Sequence, residues 1–160
     1  MKRESLYVQE AEAQAEYALM AYESYKRALE GKDVKSVFYH LHHFVVHVTN
    51  IDKILFPNKN RFRSEILKET QSKTSIDISS IRRLRNHLEH FDERMDNYVK
   101  NYKGQAYFDN NLITGAKDFP KHNCLRALDG DTYIFYGEEF NLDEIYDHLR
   151  PLQIILQDAV

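Results

Sequence analysis

The segment from Ile81 to Val99 reads Ile-Arg-Arg-Leu-Arg-Asn-His-Leu-Glu-His-Phe-Asp-Glu-Arg-Met-Asp-Asn-Tyr-Val. Its apolar residues recur at steps of three and four positions, which is the pattern of a helix that buries one side. They are Ile81, Leu84, Leu88, Phe91, Met95 and Tyr98. The segment therefore predicts a long amphipathic helix, and the rest of the chain is arranged around it.

Two polar residues of this helix, Asn86 and His90, point away from its apolar side, and Arg85 lies about 90° from that side. At roughly 100° per residue, Asn86 and His90 lie about 40° apart and about 130° or more from the centre of the apolar side. Arg85 lies about 140° from His90 on the same ideal helix. The two side chains can therefore meet only if the long Arg bends round the helix or a second helix intervenes. This geometry predicts a site shared between two copies of the helix.

The order Arg85-Asn86-His87-Leu88-Glu89-His90 resembles the signature of the HEPN superfamily. In that signature an Arg and a polar residue are followed by a short spacer and a His, late in a helical bundle. The matching residues are Arg85, Asn86 and His90. A long amphipathic helix around the motif and two strong helices before it agree with the resemblance.

Two further Arg-His pairs fit a relaxed form of the same pattern. They are Arg82 with His87 and Arg83 with His90. The chain contains many Arg and His residues, so spacing alone does not separate these alternative registers from the one that starts at Arg85.

The bulk properties fit one mainly helical domain spanning residues 1–160. A chain of this length can bury enough surface to fold without disulfides, and its single Cys excludes an internal disulfide framework. No apolar run approaches the ~20 residues that a membrane span needs, and no signal-peptide core is present. We expect a soluble protein of the cytoplasm with no membrane partner.

The predicted fold is a HEPN-like helical bundle with a small β-hairpin inserted before the C-terminal helix. Apolar periodicity and turn residues place the helices at about 4–30, 33–56, 61–70, 78–102 and 141–158, and the hairpin at about 124–136. The predicted caps are Asp33 for the second helix and Asn141 for the last. The hairpin turn is predicted at Asp129-Gly130.

Charge is distributed unevenly along the chain. The net charge is -3, but residues 53–85 hold nine basic and three acidic side chains and lead directly into the motif. This block is either a solvated surface or a surface that follows an RNA backbone. In the second interpretation the RNA-binding residues are Lys59, Arg61, Arg63, Lys68, Lys73, Arg82 and Arg83.

The second predicted helix carries a group of histidines. His43 and His47 have the one-turn spacing that can chelate a metal, but no His-Glu-x-x-His pattern and no nearby Cys accompanies them. We therefore expect His40, His43 and His47 to line a half-buried polar flank, hydrogen-bonded to tyrosines or to the motif helix. No metal and no cofactor is predicted.

Resemblance to HEPN ribonucleases implies a metal-independent endoribonuclease that acts as a homodimer, often as a toxin or in defence against phage. It implies catalytic roles for Arg85 and His90, with Asn86 orienting the phosphate or the His. The side-chain chemistry agrees, because an imidazole can move protons near neutral pH and an Arg can hold phosphate oxygens. The attacking group would be the 2′-OH of the RNA.

Other functions remain open at this stage. A HEPN-like module could bind RNA, a nucleotide or a protein without cleaving anything, and a third alternative is an antitoxin or scaffold in which the motif is structural. For a toxin, the implied partners are RNA, a second copy of the chain and an antitoxin protein.

Overall fold

The structure is a computed structural model that describes residues 3–74, 78–106 and 108–159. It is mainly helical, with a small sheet before the last helix. The helices are α1 (Ser5–Glu30), α2 (Val34–Leu55), α3 (Arg61–Ile66), α4 (Lys68–Lys73), α5 (Ile78–Glu89), α6 (Phe91–Lys100) and α7 (Leu142–Ala159). The strands are β1 (Asn111–Leu112), β2 (Arg126–Asp129), β3 (Thr132–Phe135) and β4 (Glu138–Asn141).

The first two helices agree with the predicted ranges to within one residue. Helix α1 ends where Gly31 begins a tight connection, and the Asp33 carboxylate accepts a hydrogen bond from the Ser36 amide at 3.1 Å to begin α2. The apolar stripe of α2 is buried, and α2 packs against both α1 and α5. Helix α2 is therefore the central helix.

Two of the predicted helices are broken in the structure. The range 61–70 is divided at Leu67, whose buried side chain joins the core between α3 and α4. The range 78–102 is divided at His90 into α5 and α6. Beyond that break the Phe91 ring packs on Phe135 of the sheet, with 5.9 Å between ring centroids. The predicted apolar stripe is interrupted as well, since Met95 is exposed on α6.

The predicted hairpin is present but belongs to a larger sheet. Strands β2 and β3 are antiparallel, β4 adds a second hairpin, and the short β1 pairs with β2 in parallel. The first turn is shifted by one residue from the prediction, to Gly130-Asp131, with Gly130 at a φ of +61°. The second turn has positive φ at both Tyr136 and Gly137, as a type I′ turn requires.

One face of the sheet completes the helical core. Tyr133, Phe135 and Phe140 are buried there together with the apolar residues of α1, α2, α5 and α7. The opposite face covers a smaller cluster around Ile113 and Ile134. Helix α7 follows β4 directly, and Asn141 caps it by accepting a hydrogen bond from the Glu144 amide at 3.1 Å.

None of the helices in the described ranges is both long enough and apolar enough to cross a membrane.

Candidate functional site

A buried carboxylate on α2 holds the motif arginine. Asp52 is 2% exposed, and its Oδ2 accepts a hydrogen bond from Arg85 Nη1 at 2.9 Å. Asp52 follows Ile51 within the apolar stripe of α2, so its charge is compatible with burial only because a cation faces it from α5. The pair fixes the direction of the Arg85 side chain.

A second carboxylate contacts the same guanidinium from one turn further along α5. Arg85 Nε lies 3.3 Å from Glu89 Oε1, and Lys53 Nζ lies 2.7 Å from the same oxygen. The hydrogen bond from Lys53, followed by the charges of Lys53 and Arg85, keeps the pKa of Glu89 below its ordinary value. Glu89 is therefore ionised at neutral pH, and Arg85 is held on two sides.

The motif residues Arg85 and Asn86 line one small polar depression, which we call the cleft. Its volume is about 220 Å³, and its lining residues are Asn58, Arg82, Arg85, Asn86 and Glu89. Arg82 also approaches Asp52, with Nε 3.5 Å from Oδ1, but the geometry is that of an ion pair and not of a hydrogen bond.

A second depression, the basic depression, adjoins the cleft at Arg85 and Asn58. It has a volume of about 510 Å³ and is lined by Lys53, Pro57, Asn58, Lys59, Asn60, Arg63 and Arg85. The lining contains four cationic side chains and no acidic one. The two depressions together form a continuous surface that suits an anion, with Arg85 at its centre.

The seven predicted RNA-binding residues fall into two groups. Lys59, Arg63 and Arg82 line the cleft or the basic depression. The other four line neither, and three of them face carboxylates, at Glu65, Glu69 and Glu138. These four are Arg61, Lys68, Lys73 and Arg83. Arg63 also has a structural role, because its Nη1 donates to the Lys53 carbonyl at 3.0 Å.

His90 lies outside the cleft. It occupies the break between α5 and α6, with an exposed ring whose Nδ1 is 3.1 Å from Glu93 Oε1. Its amide still donates to the Asn86 carbonyl at 3.1 Å, so the two residues remain one turn apart. Asn86 and His90 are both exposed, in agreement with their predicted directions. Within one chain, therefore, the cleft joins Arg85 and Asn86 but does not include His90.

The neighbouring histidine of the motif has a different environment. His87 is buried, and its Nε2 lies 3.2 Å from Glu138 Oε1 on β4. Arg94 Nε donates to His87 Nδ1 at 3.2 Å, so the ring is bonded on both sides. The ring also packs against Phe135 and Phe140. Burial lowers the pKa of His87 and outweighs the opposing effect of Glu138, which keeps the ring neutral at pH 7.

These positions distinguish the three Arg-His pairs that fit the motif. Arg82 faces the cleft while His87 faces the sheet, so this pair lies on two different sides of α5. Arg83 Nε lies 3.4 Å from Glu138 Oε2, also on the sheet side. Of the three candidate arginines, Arg85 has the buried carboxylate Asp52 as a hydrogen-bonded partner.

The sequence did not assign a role in the site to six residues that line this surface or lie behind it, namely Asp52, Lys53, Pro57, Asn58, Asn60 and Glu89. For Asp52 a signal was present, because an acidic residue follows Val48 and Ile51 at helical spacing within an apolar stripe. Such a residue needs a buried cationic partner. The sequence does not indicate which arginine provides it.

The histidines of α2 form a group on another surface. His43 Nδ1 lies 2.7 Å from the Tyr39 carbonyl oxygen, and His47 Nδ1 lies 2.8 Å from Gln14 Oε1 on α1. The expected half-buried polar flank is present, but His47 is bonded to α1 and not to the motif helix.

Compared with known proteins, the chain matches no family model, no curated protein and no solved structure.

Proposed function

We propose that the protein is an endoribonuclease of the HEPN type, with a HEPN-like helical bundle, that cleaves RNA without a metal ion. The observation that carries the proposal is the fixed Arg85 guanidinium at the centre of a basic surface, next to Asn86. A buried carboxylate fixes the direction of an arginine side chain. The guanidinium is then preorganised to bind an anion in one orientation. The RNA phosphate is the anion that this surface and the motif residues suit.

Each motif residue has a defined role in the proposed reaction. Arg85 binds the phosphate oxygens and stabilises the charge that develops on them, and Asn86 hydrogen-bonds the phosphate. The His90 of the other chain removes the proton from the 2′-OH, whose oxygen attacks phosphorus. The bond to the 5′-oxygen breaks, and that oxygen receives the proton that this His90 has taken up. The products are a 2′,3′-cyclic phosphate and a 5′-OH.

The proposal includes a homodimer because His90 lies outside the cleft of its own chain. An apolar surface on the helix that begins after His90 supports this association: Met95, Val99 and Tyr102 are exposed at helical spacing along and just beyond α6. A two-fold axis near this surface would bring two motif helices together, so that each cleft receives the His90 of the other chain. We further propose a toxin or defence role for the cytoplasmic dimer, with an antitoxin as partner.

All seven predicted basic residues are included as RNA contacts. Lys59, Arg63 and Arg82 would lie nearest the scissile phosphate, because they line the surface that contains Arg85. Arg61, Lys68, Lys73 and Arg83 would follow the RNA backbone further away. Contacts of this type add affinity without sequence preference.

The reaction is tested by incubating the purified protein with a single-stranded RNA in excess EDTA. We expect cleavage that leaves 2′,3′-cyclic phosphate ends, as detected by mass spectrometry, and no cleavage of the matching DNA. Abolition of cleavage by EDTA, or efficient cleavage of DNA, would contradict the proposed chemistry. A folded dimer that binds RNA but cleaves none would favour the alternative, a non-catalytic HEPN-like binding module.

The dimer is tested separately by light scattering at tens of micromolar. We expect twice the monomer mass for the wild type and the monomer mass for Val99→Glu. Ile154→Glu is the matched control, because Ile154 is also an exposed apolar residue but lies on α7. A monomeric wild type would contradict the shared site.

A further inference from the structure

His43 and His47 on α2 line a depression on a surface that the proposed ribonuclease site does not use. On an ideal helix His43 and His47 lie about 180° and 140° round α2 from Asp52. Together with His40, Tyr17 and Tyr39 they line a depression of about 350 Å³. Their ring centroids are 6.5 Å apart, and the ring planes differ by 33°. Two imidazoles thus face the same space from successive turns.

The hydrogen bond at each Nδ1 determines where the ring carries its lone pair. The partner of His43 Nδ1, at 2.7 Å, is the Tyr39 carbonyl oxygen, which can only accept. His43 Nδ1 must therefore carry the proton. In the neutral ring Nε2 is then unprotonated and available to a ligand.

The same argument applies to His47, although its partner is a side-chain amide. Gln14 Nε2 donates to Glu10 Oε1 at 2.8 Å, and a carboxylate can only accept, so the orientation of the Gln14 amide is determined. Its oxygen faces His47 Nδ1 at 2.8 Å and also accepts from Asn50 Nδ2 at 3.2 Å. His47 Nδ1 is therefore a donor as well, and its Nε2 carries the lone pair.

The Tyr17 ring lies 5.4 Å from the His47 ring, and the Tyr39 ring lies 4.3 Å from the His43 ring. Each imidazole is thus limited in rotation by an aromatic neighbour as well as by its Nδ1 hydrogen bond.

We propose that His43 Nε2 and His47 Nε2 form a binding site for a divalent transition-metal ion of the class of Zn²⁺ and Cu²⁺. A histidine that ligates such a metal usually donates its other ring nitrogen to a carbonyl or carboxylate, and both rings have that outer partner in place. The spacing is that of two metal ligands on one helical face. Imidazole is a ligand that suits both ions.

The geometry needs a small adjustment to close around the metal. With about 2.1 Å from the metal to each Nε2, the ring centroids would lie roughly 4.5–5.2 Å apart, so the rings must approach each other by about 1–2 Å. Within the described ranges, no group of three or more His, Cys, Asp or Glu residues is arranged to hold a metal. The site therefore has two protein ligands, and water fills the remaining positions from the depression.

The site is tested by titrating the apo-protein with Cu²⁺ and with Zn²⁺ at pH 7.5, using calorimetry for both ions and electron paramagnetic resonance for nitrogen coupling to Cu²⁺. We expect one ion per chain, with Cu²⁺ bound more tightly than Zn²⁺. His43→Ala and His47→Ala should each weaken binding by at least about tenfold. Gln14→Ala should weaken it by about tenfold, because it removes the partner of His47 Nδ1.

The matched control is His42→Ala, which removes an exposed imidazole of the same helix outside this pair and should leave the affinity within about twofold. Circular dichroism establishes that each variant is folded. A wild type that binds neither ion below about 1 mM would overturn the proposal. So would His43→Ala and His47→Ala proteins that bind as tightly as the wild type. RNA cleavage in EDTA should be the same for His43→Ala and the wild type, which separates this site from the ribonuclease.

Discussion

The two sides of helix α5 carry similar residues in opposite environments. On one side, Arg85 and Asn86 line the cleft, and the Arg85 guanidinium is paired with the buried carboxylate of Asp52. On the sheet side, His87 is bonded to Glu138 and Arg94 and covered by aromatic rings. Every polar atom of the His87 ring therefore has a partner within the fold. Residue type and spacing therefore do not distinguish a polar side chain that faces a depression from one that is enclosed by the fold, whereas burial and partners do.

The largest effect is expected for Arg85→Ala, which should lower RNA cleavage by roughly 10² or more because it removes the oriented charge at the phosphate. It should also lower the free energy of unfolding by about 3 kcal/mol, because buried Asp52 loses its hydrogen-bonded partner. The double variant Arg85→Ala/Asp52→Asn separates the two effects. It should recover most of the stability in a chemical denaturation experiment and none of the activity; recovered activity would contradict the role of Arg85.

The two histidines provide the direct comparison of the two sides. His90→Ala should lower cleavage by roughly 10² and change the free energy of unfolding by no more than about 0.5 kcal/mol, since the ring is exposed. His87→Ala should cost about 2–3 kcal/mol of stability through the cavity and the lost hydrogen bonds, and the folded fraction should keep its activity within a few-fold. An active His90→Ala protein together with an inactive but folded His87→Ala protein would reverse the assignment.

A smaller effect is expected when a cation next to Arg85 is removed. Lys59→Ala should weaken RNA binding and reduce the slope of log affinity against log salt by about 1, because one phosphate contact is lost. Lys73→Ala is the matched control: its amine is held by Glu69 at 2.8 Å away from the basic depression, so the slope should change less. Equal slopes for the wild type and Lys59→Ala, measured by fluorescence anisotropy, would exclude Lys59 from the RNA surface.

The smallest effect concerns pH and stability. A neutral His87 whose pKa is lowered by burial stabilises the fold fully above about pH 6.5, the ordinary His pKa in the unfolded chain. That contribution is lost as the pH falls from about 6.5 toward the lower folded value, since the unfolded state then binds more protons. His47, whose pKa is also lowered, chiefly by burial, acts in the same direction.

Chemical denaturation at pH 7.5 and at pH 5.5 measures the contribution of His87 to the pH dependence of stability. The free energy of unfolding should fall with pH in the wild type and fall less in His87→Gln. A His87→Gln protein with the full wild-type dependence would show that His87 does not contribute.

Much of the helical framework follows from the sequence because it depends on local signals. Apolar periodicity gave the extents of α1, α2 and α7, and Asp33 and Asn141 cap helices in the structure as expected. The directions of Asn86 and His90 also follow from helix geometry alone. These features need no information about distant parts of the chain.

The features that the sequence did not predict depend on tertiary contacts. The break at His90 has no Pro or Gly to mark it, and it brings Phe91 onto Phe135 more than forty residues later. Strand β4 was not predicted because the turn before it contains Tyr136 at a φ of +51°. Tyrosine rarely adopts positive φ, so the sequence does not indicate a turn there. The pairing of Asp52 with Arg85 depends on how α2 and α5 meet.

The central claim is that Arg85 of one chain acts with His90 of another, and mixing two inactive proteins tests it most directly. Arg85→Ala/Asp52→Asn and His90→Ala chains are combined in equal amounts, allowed to exchange subunits, and assayed for RNA cleavage in EDTA. In a heterodimer one of the two shared sites has both residues, so the mixture should recover about a quarter of the wild-type rate. A mixture that exchanges subunits, as shown by mass spectrometry, yet remains as inactive as its components would contradict the shared site.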